Sequence, residues 1–282
     1  MNQNSRTPRP TRRAVLGAVG GVAAGLTAQV AVAGPFAVTA APAPPAELAR
    51  GLLSVEHPAG GTVQLTPEAN RLSRERDGVV LWSHTGFGAA PFALNRPRGL
   101  AVQPDGTIVV ANTGSGELLR YDADGTPRDR VGGLFGPRAV AVSAAGELLV
   151  AETSRRRVLA FDAALRPLGV RLSEADGLTG PTALAVAADG TLVVAELNAR
   201  RLLWLSPGAT RPTMLAMSEA PRALAFEQGG PEPCLLVALG RAVHRVDAAG
   251  RLRGTLAVDA DVRGLSVSAA GQVSIQVDGS PA

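Results

Sequence analysis

Cysteine, histidine, lysine and aromatic residues are scarce in this chain. Its 282 residues include one cysteine, three histidines and 3% aromatic residues, and all 28 basic residues are arginines. A single cysteine excludes an internal disulfide framework and any zinc or iron–sulfur site built from several cysteines. With so few aromatic rings, little is available to stack on nucleic-acid bases.

The excess of positive charge lies at the N terminus. The formal net charge is +4, and four arginines precede the first acidic residue, Glu47. Without these four, the chain has 24 arginines and 24 acidic residues. The high pI of the chain, 10.7, therefore results from the arginines of the N-terminal segment, and we expect no nucleic-acid partner. A hydrophobic content of 46% is enough to form a large core, which excludes disorder for most of the chain.

Residues 1–33 have the composition of an export signal. A polar, basic segment is followed by an uncharged stretch rich in Ala, Gly, Val and Leu, which ends in small residues at Ala33. Arg12 and Arg13, in TRRAVLG, resemble the pair of a twin-arginine signal, although Val15 and Gly17 stand where Phe and Lys are usual.

This resemblance implies a bacterial protein that is periplasmic or secreted, with cleavage after Ala33. Ordinary secretion and an uncleaved membrane anchor are the alternatives, and we expect no stable membrane span once the signal is removed. Residues 34–48 are rich in Pro and Ala and read as a linker. In an oxidising compartment Cys234 has no partner within the chain, and its apolar run CLLVAL predicts a buried, inert thiol.

A motif of about 40 residues recurs through residues 49–282. Its clearest copies are PRGLAVQPDGTIVVAN (97–112), PRAVAVSAAGELLVAE (137–152) and PTALAVAADGTLVVAE (181–196). Looser copies begin near residues 49, 221 and 262. Short β-rich runs bounded by Gly, Asp and Pro at this period predict a β-propeller, with one blade per repeat.

Three strands can be placed within each repeat. An L/V-A-V strand is followed by a Gly turn, and a second strand carries the run of hydrophobic residues that ends in V-A. The third strand is predicted at Leu118–Asp122, Val158–Asp162 and Leu202–Ser206, and a poorly marked outer strand follows it. The last copy ends after two strands.

These repeats resemble the NHL family, whose blades carry P-x-G-hydrophobic-A-V followed by G-x-hydrophobic-x-V-A-D. The likeness covers about residues 50–282 and implies an all-β, six-bladed propeller. The Asp usual in the family is replaced here by Asn112, Glu152 and Glu196. Completing the last blade requires another segment, and Phe36–Ala40 (FAVTA) is the candidate.

An arginine occurs at the start of the first strand in five of the six copies. Because the first strands of a propeller line its channel, these arginines are predicted to surround one mouth of that channel. They are Arg50, Arg98, Arg138, Arg222 and Arg263. Guanidinium groups there can bind carboxylate or phosphate groups of an anionic ligand, or they can pair with acidic residues and tie the blades together.

The second strand should return to the same mouth, because it runs antiparallel to the first. Asn112, Glu152 and Glu196 end this strand in three successive blades. They are oxygen ligands suited to a calcium or zinc ion, as in gluconolactonase-like propellers. The alternative is structural, since Arg157 and Arg201 follow the two glutamates by five residues and can form local ion pairs.

The three histidines, His57, His84 and His244, occupy different repeat positions, which disfavours a Ser-His-Asp triad. The zinc-binding amidating lyases of NHL type need several channel histidines, which this sequence does not supply. We therefore predict a monomeric, non-catalytic module that binds a small anion or a protein and needs no cofactor. A metal-dependent hydrolase or lactonase is the alternative, and a purely structural envelope protein is a third hypothesis.

Overall fold

The chain folds as a β-propeller. A computed structural model describes residues 52–88, 90–227, 234–268 and 270–277, which form antiparallel sheets. Five of these sheets have four strands, in the order in which the strands occur along the chain, and we number them blades 1 to 5. A sixth sheet, sheet 6, has two described strands.

Blade 1 comprises β1 (Leu53–Glu56), β2 (Thr62–Thr66), β3 (Arg71–Arg76) and β4 (Val79–Thr85). Blade 2 comprises β5 (Gly99–Val102), β6 (Ile108–Asn112), β7 (Glu117–Tyr121) and β8 (Pro127–Val131). Blade 3 comprises β9 (Pro137–Val142), β10 (Leu148–Glu152), β11 (Arg157–Phe161) and β12 (Pro167–Leu172). Blade 4 comprises β13 (Ala183–Val186), β14 (Leu192–Glu196), β15 (Arg201–Leu205) and β16 (Thr213–Ala216). Blade 5 comprises β17 (Pro221–Phe226), β18 (Leu235–Leu239), β19 (Ala242–Val246) and β20 (Leu252–Ala257), and sheet 6 comprises β21 (Val262–Val267) and β22 (Val273–Val277).

The innermost strands form a closed circle. Strands β1, β5, β9, β13, β17 and β21 each contact the next, and β21 contacts β1. The repeats are therefore arranged around one axis, as the sequence predicts. Five complete blades are shown. A six-bladed ring stays a prediction, because Phe36–Ala40, the segment expected to complete sheet 6, lies outside the described residues.

The second strand of blades 2 to 5 carries an uninterrupted apolar run because both of its faces are buried. In β10, Leu148 and Val150 pack in the cluster shared with blade 2, whereas Leu149 and Ala151 pack in the cluster shared with blade 4. Side chains of a strand alternate between its two faces, so every residue must be apolar to fill both sides. Five such clusters lie between consecutive sheets, from blade 1 round to sheet 6.

The predicted third strands are found one residue earlier than expected. They begin at Glu117, Arg157 and Arg201, because these residues pair directly with the last residue of the second strand. The two helices among the described residues are 3₁₀ turns of three residues each, so neither is long enough to cross a membrane.

Candidate functional site

A cavity of about 910 Å³ opens where the innermost strands begin. Three consecutive residues at or immediately before the start of each of the six strands of the circle form its wall, and Pro67, Glu68, Leu197 and Gln276 also line it. The cavity therefore lies on the propeller axis, and residues at one repeat position reach it from several blades.

Four of the predicted arginines line this cavity: Arg98, Arg138, Arg222 and Arg263. Thr182 lines it from blade 4, where the repeat has threonine in place of arginine. Arg50, the fifth predicted arginine, lies outside the described residues. The structure thus brings together side chains that are separated by 40 residues or more in the sequence.

The register of blade 1 differs from the alignment used for Arg50. Leu53 pairs with Leu65, the fourth residue of β2, and Gly99 pairs with Ala111, the fourth residue of β6. Leu53 is therefore equivalent to Gly99, and Leu52 is equivalent to Arg98. The sequence alignment was wrong by two residues here, because two more residues separate Arg50 from the β1–β2 hairpin than separate Arg98 from the β5–β6 hairpin.

The cavity arginines differ in their partners from most other arginines of the molecule. Ten arginines elsewhere in the described part of the chain form ion pairs with Asp or Glu. Among the described residues, no carboxylate pairs with Arg98, Arg138 or Arg222. Burial and the positive charge of Arg98 lower the pKa of Arg138, so these two guanidinium groups are close enough to repel each other.

Gln276 adds a buried amide to the cavity wall. The residue is 8% exposed, and its Nε2 has no acceptor within the described residues. An unsatisfied buried amide is costly, by about 1–3 kcal/mol. Gln276 pairs with Gly264 across the sheet. A Cβ at residue 264 would lie 2.3 Å from Oε1 of Gln276, so the glycine leaves the space that this amide occupies.

Sequence reasoning missed Gln276, although a signal was present. The residue occupies the place that Ala111, Ala151, Ala195 and Ala238 hold in the second strands of blades 2 to 5, and that Leu65 holds in blade 1. A long polar side chain at a position that is otherwise apolar marks a local exception to the apolar pattern.

Asn112, Glu152 and Glu196 end the second strands at the same mouth as the arginines, as predicted, since Glu152 pairs with Pro137 at the start of β9. They do not line the cavity. All three are buried, with at most 1% of each side chain exposed.

Each of these three side chains holds the loop that enters its own blade from the preceding blade. Glu196 accepts hydrogen bonds from Gly180 N at 2.6 Å and from Arg201 Nε at 2.6 Å. Glu152 accepts from Phe135 N at 2.6 Å and pairs with Arg157.

Asn112 follows the same scheme. Its Oδ1 accepts from Asn95 N at 2.7 Å, and its Nδ2 donates to Ala93 O at 2.9 Å. The local ion pairs of the structural interpretation are therefore present, and the glutamates also anchor a loop. A cation bound at either glutamate would have to displace these N–H donors.

The described residues contain no group of three or more His, Cys, Asp or Glu side chains placed to hold a metal ion. The histidines are engaged elsewhere: His57 Nε2 lies 3.0 Å from Gly106 O, and His84 Nε2 lies 2.7 Å from Gly125 O. His244 Nδ1 lies 3.1 Å from Thr255 Oγ1. Cys234 immediately precedes β18 and is half-buried, and burial raises the pKa of its thiol.

Several solved structures share this fold at low sequence identity. A streptogramin B lyase aligns with a TM-score of 0.63 and 12% identity, over 80% of this chain and 76% of that chain. Virginiamycin B lyase from Staphylococcus aureus gives 0.59 and 12%, over 81% and 82% of the two chains. Hydrazine synthase from Kuenenia stuttgartiensis gives 0.61 and 14%, over 79% and 72%.

At these identities the likeness shows the propeller fold alone. No protein-family model and no curated protein matches the sequence. The resemblance to NHL repeats therefore stays a prediction, supported by the motifs themselves.

Proposed function

We propose that the protein is a binding module that holds a small anion in its central cavity. One observation carries this proposal: Arg98, Arg138 and Arg222 line the cavity without a carboxylate partner among the described residues. Guanidinium groups recognise carboxylates and phosphates through paired N–H donors. A volume of about 910 Å³ lies within the range of small-molecule sites.

The chemistry of the wall supports binding. It offers hydrogen-bond donors from the arginines, from the Gln276 amide and from the Thr182 hydroxyl, and the described residues add to it one carboxylate, that of the exposed Glu68. Donors of this kind hold and orient an anion. The same wall is unsuited to a cationic ligand, because like charges repel in a partly enclosed space.

Calorimetric titration of the purified chain with inorganic phosphate and with succinate tests the proposal. We expect Arg138→Gln and Arg222→Gln to weaken the binding of these anions roughly tenfold or more, since a hydrogen bond to a charged group contributes about 1.5–3 kcal/mol. Arg211→Gln is the matched control. It removes the same charge, but Arg211 is exposed and does not line the cavity. Equal affinities in all three variants would contradict anion binding at the cavity.

Metal analysis of the same preparation separates this function from a metal-dependent hydrolase or lactonase. That alternative requires stoichiometric calcium or zinc that is lost on Glu196→Gln. Anion binding by metal-free protein, with full thermal stability, is the result expected here.

We also propose that the protein acts outside the cytoplasm as a monomer. The support is the twin-arginine-like segment with Arg12 and Arg13 and the small residues before residue 34. Cell fractionation tests this location, and recovery of the full chain from the cytoplasm alone would contradict it. Size-exclusion chromatography with light scattering tests the oligomeric state.

Finally, we propose that Phe36–Ala40 adds a strand to sheet 6 and completes a six-bladed ring. Sheet 6 has two described strands where each of the five blades has four, and its outer strand β22 carries the partly buried Ile275 and Val277. An added strand would cover these side chains and pair the edge of β22 that no described strand pairs. The chain between residues 40 and 52 can span up to roughly 36 Å, which is enough to reach β22 from the start of β1.

A further inference from the structure

The arginines around the cavity fall into two arcs on opposite sides of the axis. In the circle of innermost strands, Arg98 immediately precedes β5 and Arg138 lies on its neighbour β9, and Arg222 and Arg263 lie on the neighbours β17 and β21. Thr182, immediately before β13, separates the arcs on one side. The start of β1, with Leu53 and Ser54, separates them on the other.

The order of the strands places each arc opposite the other. With six strands in the circle, β5 faces β17, and β9 faces β21. Arg98 therefore stands across the cavity from Arg222, and Arg138 stands across from Arg263. Between these two positive ends, the one charged group that the described residues contribute to the wall is the carboxylate of Glu68 in blade 1. This arrangement is the complement of a molecule that is negative at both ends and uncharged between them.

The two arginines of the first arc, Arg98 and Arg138, repel each other. The guanidinium of Arg98 disfavours the charged form of its half-buried neighbour Arg138. No carboxylate of the described chain lies between Arg98 and Arg138 to offset this repulsion. An anionic group bound by both would remove it, so the arc favours a ligand group over an empty state.

The second arc carries an additional donor. Gln276 lies across β21–β22 from Gly264, the residue after Arg263, and its Nε2 has no acceptor within the described residues. A buried, unpartnered amide in the cavity wall is a second observation that indicates a ligand, independent of the arginines.

We propose that the ligand of this cavity is a dianion with one anionic group at each end, which bridges the Arg98–Arg138 arc and the Arg222–Arg263 arc. This inference rests on the proposed function, anion binding at the cavity, and adds the class of ligand. The shared chemistry is a small molecule with two terminal carboxylates or two terminal phosphates. Engaging both ends at once raises affinity because the second contact is intramolecular.

The test is calorimetric titration of the full-length protein with a length series at constant ionic strength. The probes are α,ω-dicarboxylates from succinate to azelate and α,ω-alkane bisphosphates. Monocarboxylates and monophosphates of equal carbon number are the references. At one optimal length the dianion is expected to bind at least tenfold more tightly than its monoanionic reference, and the two series show which head group is preferred.

Variants on each arc locate the two ends. Arg138→Gln and Arg222→Gln should each reduce the affinity of the optimal dianion to about that of the monoanion, and the double variant should lose most of the remaining binding. Gln276→Leu, which keeps a similar volume, should weaken dianion binding while the thermal unfolding of the unliganded protein is retained. Arg211→Gln should bind like the unmodified chain.

The outcomes distinguish the two proposals. If dianions and monoanions bind equally at every length, or if only one arc matters, bridging is wrong and anion binding stands. If no anion of either series binds, both the bridging ligand and the proposed function fail.

Discussion

At the scale of single residues, buried polar side chains in this propeller link one blade to the next through backbone groups. Arg74 of blade 1 is 7% exposed and donates from Nη1 to Ala123 O of blade 2, at 2.9 Å. His57 of blade 1, which is 4% exposed, contacts Gly106 of blade 2. Such contacts depend on the neighbouring repeat, so the sequence of one repeat cannot reveal them.

His57 gives the molecule a defined pH dependence. Burial, followed by the positive charges of Arg74 and Arg76, lowers the pKa of its imidazole, against a smaller opposing effect of the Gly106 carbonyl. The unfolded chain therefore binds this proton at a higher pH than the folded chain. The contribution to stability is complete above about pH 6.5, the ordinary value for histidine, and is lost as the pH falls toward the lowered folded pKa.

We expect His57→Gln to abolish this part of the acid destabilisation. Gln is the matched replacement, because Gln103 occupies the equivalent buried position of blade 2. One proton accounts for at most about 1.4 kcal/mol per pH unit, so urea unfolding at pH 7, 6 and 5 resolves the effect. The parent chain, which keeps His57, is measured alongside as the control. An unchanged dependence in His57→Gln would show that His57 does not titrate on unfolding.

At the scale of elements, the sequence predicts best the strands that are buried on both faces. The runs IVVA, LLVA and LVVA mark β6, β10 and β14 because each of these strands packs against two neighbouring blades. The outer strands were poorly marked for the opposite reason. Strand β8, for example, has four exposed residues out of five, so no apolar pattern is required.

Part of the candidate site could also be predicted from the sequence. Arg98, Arg138, Arg222 and Arg263 reach one cavity because they share a repeat position, and a repeat position is visible in the sequence. The register of a hairpin cannot be read from the sequence when the number of residues before the hairpin changes. For this reason Arg50 was aligned with Arg98, although Leu52 is the equivalent residue. The engagement of Glu152 and Glu196 with entering loops depends on backbone N–H groups that no motif records.

The edge of sheet 6 gives a prediction at this scale. A chain that begins at residue 46 lacks Phe36–Ala40 and should be less stable than one that begins at residue 34. Leaving the partly buried Ile275 and Val277 uncovered costs on the order of 2 kcal/mol, which lowers the unfolding temperature by about 4–8 °C.

Scanning calorimetry of the two chains measures this difference. Val38→Asp in the longer chain is the matched control, because it keeps the length and places a charge in the proposed strand. It should reproduce most of the loss. Equal unfolding temperatures for the chains that begin at residues 34 and 46 would rule out closure by this segment.

At the scale of the whole molecule, the junctions between neighbouring sheets differ in how much apolar surface they bury. Five buried apolar clusters connect consecutive sheets from blade 1 to sheet 6. Strand β21 also contacts β1, but the described residues form no buried apolar cluster at that junction. In an open array each repeat contacts only its neighbours and the ends fray, whereas a closed circle couples the two ends.

The two tryptophans report on opposite sides of this circle. Trp82 of blade 1 donates from Nε1 to Ala123 O of blade 2, at 3.3 Å, and Trp204 of blade 4 stacks edge-on against Phe226 of blade 5, with ring centroids 5.8 Å apart. Because the chain has no other tryptophan, Trp204→Phe and Trp82→Phe each leave one probe. We expect cooperative unfolding of a closed ring, so fluorescence and far-UV circular dichroism should give one midpoint within each variant. If the Trp82 signal changes at a lower denaturant concentration than the circular dichroism of the same protein, blade 1 separates first and the junction with sheet 6 is open in solution.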